Sequence, residues 1–181
     1  MPADLAQCVA AVRSGGVIAY ATEAVFGLGC DPRNESALAR LIDIKHRDAG
    51  KGMILIAADL DQLRDFIAPL SATDEQALRA DWPGPETWVL PAAAGLSPLL
   101  TGGRDSIAVR VTAHPQAAAL CRACGPLTST SANPSGQPPL RCAAEVERLF
   151  GERLEAVLDG KVGGLQCPTR IRDLRSGRVL R

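Results

Sequence analysis

The stretch Ile42–Ile56 reads IDIKHRDAGKGMILI and joins a helical pattern to a buried-strand pattern through a cationic segment. Three cations, Lys45, Arg47 and Lys51, fall within seven residues of one another. The apolar residues ahead of them recur at helical spacing, and Met53–Ile56 is a short apolar run that is typical of a covered strand. We therefore expect the cations to lie on a loop that leaves a packed scaffold.

The choice of lysine in this loop is unusual for the chain. Its 20 basic residues divide into 17 arginines and three lysines, and two of the three lysines are Lys45 and Lys51. An ammonium group is a compact point charge that commonly binds phosphate, whereas a guanidinium is a wide planar fork. The loop is therefore interpreted either as a phosphate-binding loop or as a solvated helix end, where cations offset the negative end of the helix dipole.

Composition limits the classes of function. With 181 residues and 46% hydrophobic content, the chain is predicted to form one domain over residues 1–181. The 20 basic and 20 acidic residues balance, so the net charge demands neither nucleic acid nor an anionic membrane, and any anion site must be local. We expect no secretory signal and no transmembrane helix, which predicts a cytoplasmic protein.

The cysteine pattern does not predict a metal or redox site. Six cysteines are scattered along the chain, and in the cytoplasm we expect them to stay reduced and to form no disulfides. Cys121 and Cys124 form a CxxC motif within an Ala-rich helical pattern, but no second CxxC or histidine pair completes a zinc site. We interpret them as ordinary helix cysteines.

The N-terminal third predicts a helix, a strand and a turn. Leu5–Val12 has helical periodicity and ends at a Gly-Gly pair, and Val17–Tyr20 is a short strand. Gly27 and Gly29 follow and predict a tight, ligand-facing turn, although the GxG lacks the rest of a dinucleotide fingerprint. Asn34 is predicted to cap the helix that runs through Ile44.

Further along, two elements have clear local signals. Thr73–Gln76 resembles a capping box, which predicts a helix ending before Pro83. Ser106–Val111 alternates apolar residues with Arg110 on the opposite face, as a half-buried strand does. Arg110 is interpreted either as a solvent-facing arginine or as a functional residue.

The segment Leu127–Gly136, LTSTSANPSG, carries four consecutive hydroxyl side chains and then Asn133. A strand end that leads into such a loop offers many orientable hydrogen-bonding groups to a polar ligand, although the same residues also favour ordinary turns. The chain ends in a predicted hairpin about Ser176 and Gly177, and its last twelve residues contain five arginines.

Five ordered segments together resemble the threonylcarbamoyl-AMP synthase family (TsaC/YrdC), in its short, single-domain form, over nearly the whole chain. The segments are AYATEAVFGLGCDP, IKHRDAGKGMILIA, WPGPETWVLPA, SIAVRVTAHP and LTSTSANPSG. Ala21 and Asp48 depart from the family pattern, because proline is common at both positions. The resemblance implies an α/β fold in which a large twisted, mixed sheet flanked by helices surrounds a concave, positively charged groove.

The resemblance also implies a reaction. L-Threonine, bicarbonate or CO2, and ATP would form threonylcarbamoyl-AMP and pyrophosphate, as the first step of the t6A modification at position 37 of tRNA. Adenylation depends chiefly on positioning and charge neutralisation, so cations matter more than a nucleophile. Mg2+ would bind through the phosphates, and the product would pass to a t6A transferase complex like TsaD/TsaB/TsaE.

The resemblance assigns residues to each substrate. No nucleophile is implied, and charge stabilisation falls to the three loop cations. The implied ATP-binding residues are Lys45, Arg47, Lys51, Ser106, Ser131, Asn133 and Arg181. The implied L-threonine-binding residues are Thr22, Arg110, Ser129 and Thr169, with Arg110 as the partner of the carboxylate.

Two alternatives are kept. A basic concave face extended by the C-terminal arginines would suit a module that binds double-stranded or ribosomal RNA, with weak tRNA binding as a lesser form. The scarcity of aromatic residues argues against a stacking platform for single strands. The second alternative is another enzyme on a related fold, such as a carbamoyl-adenylate-forming maturation factor or a sugar-phosphate synthase.

Overall fold

The computed structural model describes residues 3–134 and 136–181, so Ser135 of the hydroxyl-rich segment lies outside the described residues. The helices are α1 Leu5–Arg13, α2 Glu35–Lys45, α3 Ala72–Asp81, α4 Pro98–Thr101, α5 Pro115–Cys124 and α6 Ala143–Phe150. Short 3-10 turns cover Ala49–Lys51, Asp61–Leu63 and Gly151–Arg153. The strands are β1 Ile18–Ala21, β2 Phe26–Gly29, β3 Ile54–Ala57, β4 Glu86–Pro91, β5 Ser106–Val111, β6 Leu127–Ser131, β7 Ala156–Val157 and β8 Arg170–Asp173.

The strands form one eight-stranded sheet in the order β7-β1-β2-β6-β3-β5-β4-β8. The pairs β1/β7, β3/β5 and β4/β8 are parallel, and the other neighbours are antiparallel. The predicted mixed α/β fold with a large mixed sheet is therefore confirmed. Within the described residues, none of the helices has both the length and the apolar character needed to cross a bilayer.

The strand register decides which side chains share a face of the sheet. Ile54 pairs with Ser129 on one side and with Ala108 on the other, and paired residues point to the same face. Arg110 lies two residues beyond Ala108, and Ser131 two residues beyond Ser129, so both return to that face. Residues from three adjacent central strands therefore meet on one surface.

Helices cover the two faces unequally. On the face opposite Ile54, Leu55 and Val109 belong to a core cluster that includes residues of α2 and α6. On the same face as Ile54, Ile56 and Leu127 pack with residues of α1 and α5 in a second cluster. On this face α1 and α5 cover Ile56 and Leu127, whereas Ile54, Ser129 and Arg110 line a cavity, so that part of the face is available for a site.

Several predicted elements are confirmed. The strand Ser106–Val111 has the bounds that its alternation predicted, and the first helix and strand lie within about one residue of their predicted bounds. Asn34 caps α2 by accepting a hydrogen bond from Ala37 N at 3.0 Å. The terminal hairpin is present, with an antiparallel bridge between Arg172 and Val179 and a positive φ at Gly177.

The interpretation of Gly27 and Gly29 as a turn is wrong, because both lie in β2. Glycine is needed there for close strand approach, since a Cβ on Gly29 would lie 2.1 Å from the carbonyl oxygen of Thr128. The capping box at Thr73 is also wrong. The cap of α3 is Ser71, whose Oγ accepts from Asp74 N at 3.1 Å.

The position of two site segments also differs from the prediction. Lys45 was expected on the loop that follows the helix, but it is the last residue of α2 and only 5% exposed. The hydroxyl run was expected at a strand end, but Thr128, Ser129 and Thr130 lie inside β6 and are buried. The strand β6 therefore supplies these hydroxyl groups on a rigid scaffold.

Candidate functional site

The uncovered part of the sheet face contains a cavity of about 200 Å³, which we call the inner cavity. The β1–β2 turn, the strands β5 and β6, and the segment before β8 all contribute to it. The predicted site residues among its lining side chains are Thr22, Arg47, Arg110, Ser129, Ser131, Thr169 and Arg181. All four predicted threonine-binding residues are therefore brought together, although they come from distant parts of the chain.

A second, larger cavity of about 440 Å³, the outer cavity, adjoins the first. Its lining includes the predicted residues Lys51 and Ser106 together with Arg104, and a largely apolar floor from β4, β5 and β8. Arg47, Ile54 and Arg181 line both cavities. These three residues form the boundary at which groups bound in the two cavities would meet.

Arg110 is fixed by a buried polar network. It is 4% exposed, and its Nη2 donates to Glu23 Oε2 at 3.3 Å. Its Nη1 donates to Thr87 Oγ1 at 3.0 Å and to Thr169 Oγ1 at 3.2 Å. The interpretation of Arg110 as a solvent-facing arginine is therefore wrong, because β4 and the segment before β8 enclose its guanidinium.

Glu23 is the counter-charge of this network. Burial raises the pKa of the Glu23 carboxyl, but the Arg110 charge, the Thr112 hydroxyl and backbone N–H groups more than offset this, so the pKa lies below its usual value. Thr112 Oγ1 donates to Glu23 Oε1 at 2.7 Å. Glu23 therefore stays ionised and holds the guanidinium in place.

Arg110 still has capacity for a ligand. Its Nε is buried and has no hydrogen-bond partner in the described structure. A buried donor without a partner costs free energy, and a guanidinium pairs with a carboxylate through two parallel hydrogen bonds. Arg110 also lines the inner cavity, so its guanidinium is placed to bind a small anionic group there.

Lys45 and Asn133 do not line either cavity but lie behind Ser131. The Lys45 ammonium donates to Ser131 O at 2.6 Å, to Asn133 Oδ1 at 3.0 Å and to Asn133 O. Burial, followed by the nearby Arg47 charge, lowers the pKa of Lys45 to about 8. The first of the three loop cations thus connects α2 to the end of β6.

The other two loop cations face the outer cavity. Arg47 Nη2 donates to Gly52 O at 2.9 Å, while Arg47 Nε is buried without a partner among the described residues. Burial lowers the pKa of Arg47, and Asp48 acts in the opposite direction. Lys51 is exposed at the end of its 3-10 turn. A cation with little burial is free to approach a phosphate.

A close contact between two loops sets the position of Lys51. Gly52 and Gly102 both have positive φ, and a Cβ on Gly102 would lie 2.6 Å from Gly50 O. Arg104 Nη2 donates to Gly50 O at 2.7 Å, which ties the same loops together. Arg104 was not predicted as a site residue, and only its place in the fold reveals it.

At the chain end, Arg181 reaches the boundary between the cavities. Its Nη2 donates to Thr169 O at 3.3 Å, and burial followed by the Arg110 charge lowers the pKa of Arg181. Side-chain alternation along a final strand predicts that Leu180 packs on the sheet while Arg181 points to the groove, and the prediction for Leu180 is wrong. Leu180 is 57% exposed, and it lines the outer cavity beside Arg181.

The other C-terminal arginines are largely paired with acids. Arg170 Nε lies 3.1 Å from Glu86 Oε2, and Arg175 Nη1 lies 3.3 Å from Asp105 Oδ2. Arg172 packs over the Trp88 ring at 4.4 Å and contacts Asp81 at 3.4 Å. These pairs reduce the free basic surface that the RNA-binding alternative requires.

Sequence reasoning missed Glu23 and Thr87 as supports of the site. Glu23 lies directly after Thr22, but its partner Arg110 is 87 residues away, so no local spacing connects them. Within residues 3–134 and 136–181 there is no group of three or more His, Cys, Asp or Glu side chains that could hold a metal ion.

The family model and the similar proteins that match this chain point to the same family. The model of the Sua5-YciO-YrdC family, whose description reads "Telomere recombination", matches residues 10–181. A threonylcarbamoyl-AMP synthase of Halorhodospira halophila is 55% identical over 99% of this chain and 95% of its own length. The corresponding synthase of Thiobacillus denitrificans is 54% identical over 94% of this chain and 90% of its own length.

Solved structures of Sua5 and YciO proteins have a similar fold. The P. abyssi Sua5 structure complexed with L-threonine is 31% identical, with a TM-score of 0.91 over 98% of this chain. This chain covers 53% of that Sua5 chain. E. coli YciO is 28% identical, with a TM-score of 0.85, and the match covers 98% of this chain and 87% of YciO.

Proposed function

The chain belongs to the Sua5-YciO-YrdC family, and on that premise we propose that it is a threonylcarbamoyl-AMP synthase that joins L-threonine, bicarbonate or CO2, and ATP. The observation that supports this most strongly is the pair of adjoining cavities. One contains every side chain expected to bind threonine, and the other contains cations expected to bind phosphate. Together they form the concave, positively charged groove of a single domain over residues 1–181.

Threonine binds in the inner cavity. Its carboxylate pairs with Arg110, whose Nε has no partner within the described residues and whose orientation is held by Glu23. The hydroxyls of Thr22, Ser129 and Thr169 supply neutral hydrogen bonds around the rest of the molecule. This arrangement leaves the amine to point towards the boundary with the outer cavity.

ATP binds in the outer cavity. Lys51 and Arg47 hold the triphosphate, and Ser106 and Arg181 add nucleotide contacts. Ser131 lines the inner cavity, and Lys45 and Asn133 support it from behind without lining either cavity. The apolar floor of the outer cavity supplies a surface for the nucleotide.

The reaction then needs positioning and charge neutralisation rather than a nucleophilic side chain. The threonine amine adds to CO2 and loses a proton, which gives a carbamate. A carbamate oxygen attacks the α-phosphorus, the new P–O bond forms, and pyrophosphate leaves with the electrons of the broken bond. Arg47 and Arg181 at the boundary neutralise the charge that accumulates between the two anions.

Mg2+ fits this site only when it is bound to the phosphates of the nucleotide. The described residues contain no acidic cluster to hold the ion, whereas Mg2+ is commonly bound through substrate phosphates. When bound there, Mg2+ would offset charge on the leaving pyrophosphate.

The product is a reactive mixed anhydride, and we propose that a t6A transferase complex like TsaD/TsaB/TsaE consumes it for modification of tRNA position 37. We place the protein in the cytoplasm, where its six free cysteines would remain reduced. The RNA-binding alternative is not favoured, since arginines of the tail are paired with acids.

One incubation tests this function. The protein is mixed with L-threonine, bicarbonate and ATP labelled in the γ-phosphate, and pyrophosphate release is measured. Release that requires both threonine and bicarbonate is expected. Release without threonine, or binding of RNA without any turnover, would contradict the proposal.

A further inference from the structure

The Lys45 ammonium has three N–H groups, and three oxygen atoms accept from it. The acceptors are Ser131 O at 2.6 Å, Asn133 Oδ1 at 3.0 Å, and Asn133 O. A lysine has three donors and no acceptor, so none is left for another ligand. Lys45 is also buried, with only 5% of the residue exposed.

The Asn133 amide is used in the same complete way. Its Oδ1 accepts from Lys45 and from the Ser131 hydroxyl, the latter at 2.6 Å. Its Nδ2 donates to Pro134 O at 3.1 Å and to Gln137 O at 2.6 Å. Both of its N–H donors and both lone pairs of its oxygen are therefore engaged within the protein.

These bonds decide how Ser131 meets a substrate. Ser131 lines the inner cavity, and its hydroxyl proton points to Asn133 Oδ1. The remaining capacity of Ser131 Oγ is its lone pairs, so it accepts a hydrogen bond rather than donating one. A phosphate oxygen is itself an acceptor, and it is therefore a poor partner for this hydroxyl.

We propose that Lys45 and Asn133 are positioning residues that do not contact phosphate, and that they fix the Ser131 hydroxyl as an acceptor for an O–H or N–H group of a substrate. The inference rests on the proposed function and changes the role of the first loop cation. Phosphate binding is left to Arg47 and Lys51, whose side chains line the outer cavity. The donor group comes from threonine or from the ribose of ATP.

Inorganic tripolyphosphate separates contact from positioning, because it carries the phosphate charges without ribose or base. Its binding is measured by titration calorimetry on Lys45→Met, Asn133→Ala and Lys51→Ala. We expect Lys51→Ala to weaken the binding of tripolyphosphate roughly tenfold or more, as for the loss of a charge-assisted hydrogen bond. We expect Lys45→Met and Asn133→Ala to bind it within about twofold of wild type, as for changes that remove no phosphate contact.

Steady-state kinetics supply the second readout. Lys45→Met and Asn133→Ala should each lower kcat/KM roughly tenfold, and the double variant should fall no further, since they act through the same hydroxyl. In Ser131→Ala, a higher KM for threonine identifies threonine as the donor, and a higher KM for ATP identifies the ribose. An unchanged KM for both substrates in Ser131→Ala overturns the inference.

Other outcomes also overturn it. Loss of tripolyphosphate binding in Lys45→Met equal to that in Lys51→Ala would make Lys45 a phosphate ligand. Additive kinetic effects of Lys45 and Asn133 would show that they act separately. If circular dichroism shows that Lys45→Met does not fold, Asn133→Ala carries the same test. Failure of wild type to release pyrophosphate overturns the proposed function instead, while the tripolyphosphate comparison still reports on Lys45.

Discussion

The inner and outer cavities differ in how their charged groups are held. In the inner cavity, Arg110 is 4% exposed and shares a buried network with Glu23 and two threonines. In the outer cavity, Lys51 is exposed on a short turn whose position depends on glycine contacts. Ligand binding and folding are therefore coupled in the inner cavity and separable in the outer one.

The largest expected effect is that of Arg110→Ala. This change leaves Glu23 as a buried charge without its cationic partner, which typically destabilises a protein by about 3–5 kcal/mol. The KM for threonine should also rise far more than the KM for ATP. Urea unfolding and steady-state kinetics measure the two effects.

The matched control is Arg64→Ala, which removes an arginine from an exposed pair with Glu75. Because such pairs are solvated, we expect little change in stability and none in either KM. An equal loss of stability in Arg110→Ala and Arg64→Ala would contradict the coupling of ligand binding to folding in the inner cavity. If Arg110→Ala raised the KM for threonine and the KM for ATP equally, Arg110 would be assigned to nucleotide binding and not to threonine binding.

Lys51→Ala should show the opposite pattern. Its side chain is exposed, so the urea midpoint should stay near that of wild type, whereas ATP affinity should fall by roughly 10- to 100-fold. Lys161→Ala, at an exposed lysine outside both cavities, is the control and should bind ATP normally. Unchanged ATP affinity in Lys51→Ala would mean that the loop is only a solvated surface.

A pH series tests the role of Lys45, the buried cation behind Ser131. The pKa of Lys45 is lowered from its usual 10.5 to about 8 by burial and then by Arg47. Below pH 8 the ammonium holds the Ser131–Asn133 turn, and as pH rises through 8 one of its three donors is lost. The ratio of kcat/KM between wild type and Lys45→Met, which cancels substrate titrations, should therefore fall several-fold between pH 7 and about 9. A constant ratio would contradict this role.

The smallest expected effect is that of Arg181→Ala. Arg181 lies at the boundary of the cavities, and its guanidinium donates to the carbonyl oxygen of Thr169. Its loss should weaken ATP binding by roughly 3- to 10-fold. Arg178→Ala, at an exposed tail arginine outside both cavities, should leave ATP binding unchanged. Weakened tRNA binding with normal ATP affinity in Arg181→Ala would instead support an RNA-binding tail.

The same contrast explains how much could be predicted from the sequence. The strand Ser106–Val111 was predicted with its observed bounds because alternation of side chains is a local signal. The turn at Gly27 and Gly29 was wrong, because their need for glycine comes from β6, a strand about 100 residues away. Local pattern predicted the elements but not the contacts between them.

The site divides in a similar way. Lys51 was recognised from a cluster of cations within one loop, and the structure leaves it facing a cavity. The same cluster gave no sign that Lys45 is buried, because its acceptors, Ser131 and Asn133, lie in a distant segment. Glu23 was missed for the same reason. The residues that bind L-threonine were assigned only from the family resemblance, and the fold alone brings them together.

A crystal structure with L-threonine and a non-hydrolysable ATP analogue would show which cavity holds each substrate. We expect the threonine carboxylate on the Arg110 guanidinium in the inner cavity. We expect the triphosphate beside Arg47 and Lys51, and the threonine amine facing the boundary formed by Arg47, Ile54 and Arg181. A triphosphate bound to Arg110, or threonine bound in the outer cavity, would contradict the assignment of the two cavities.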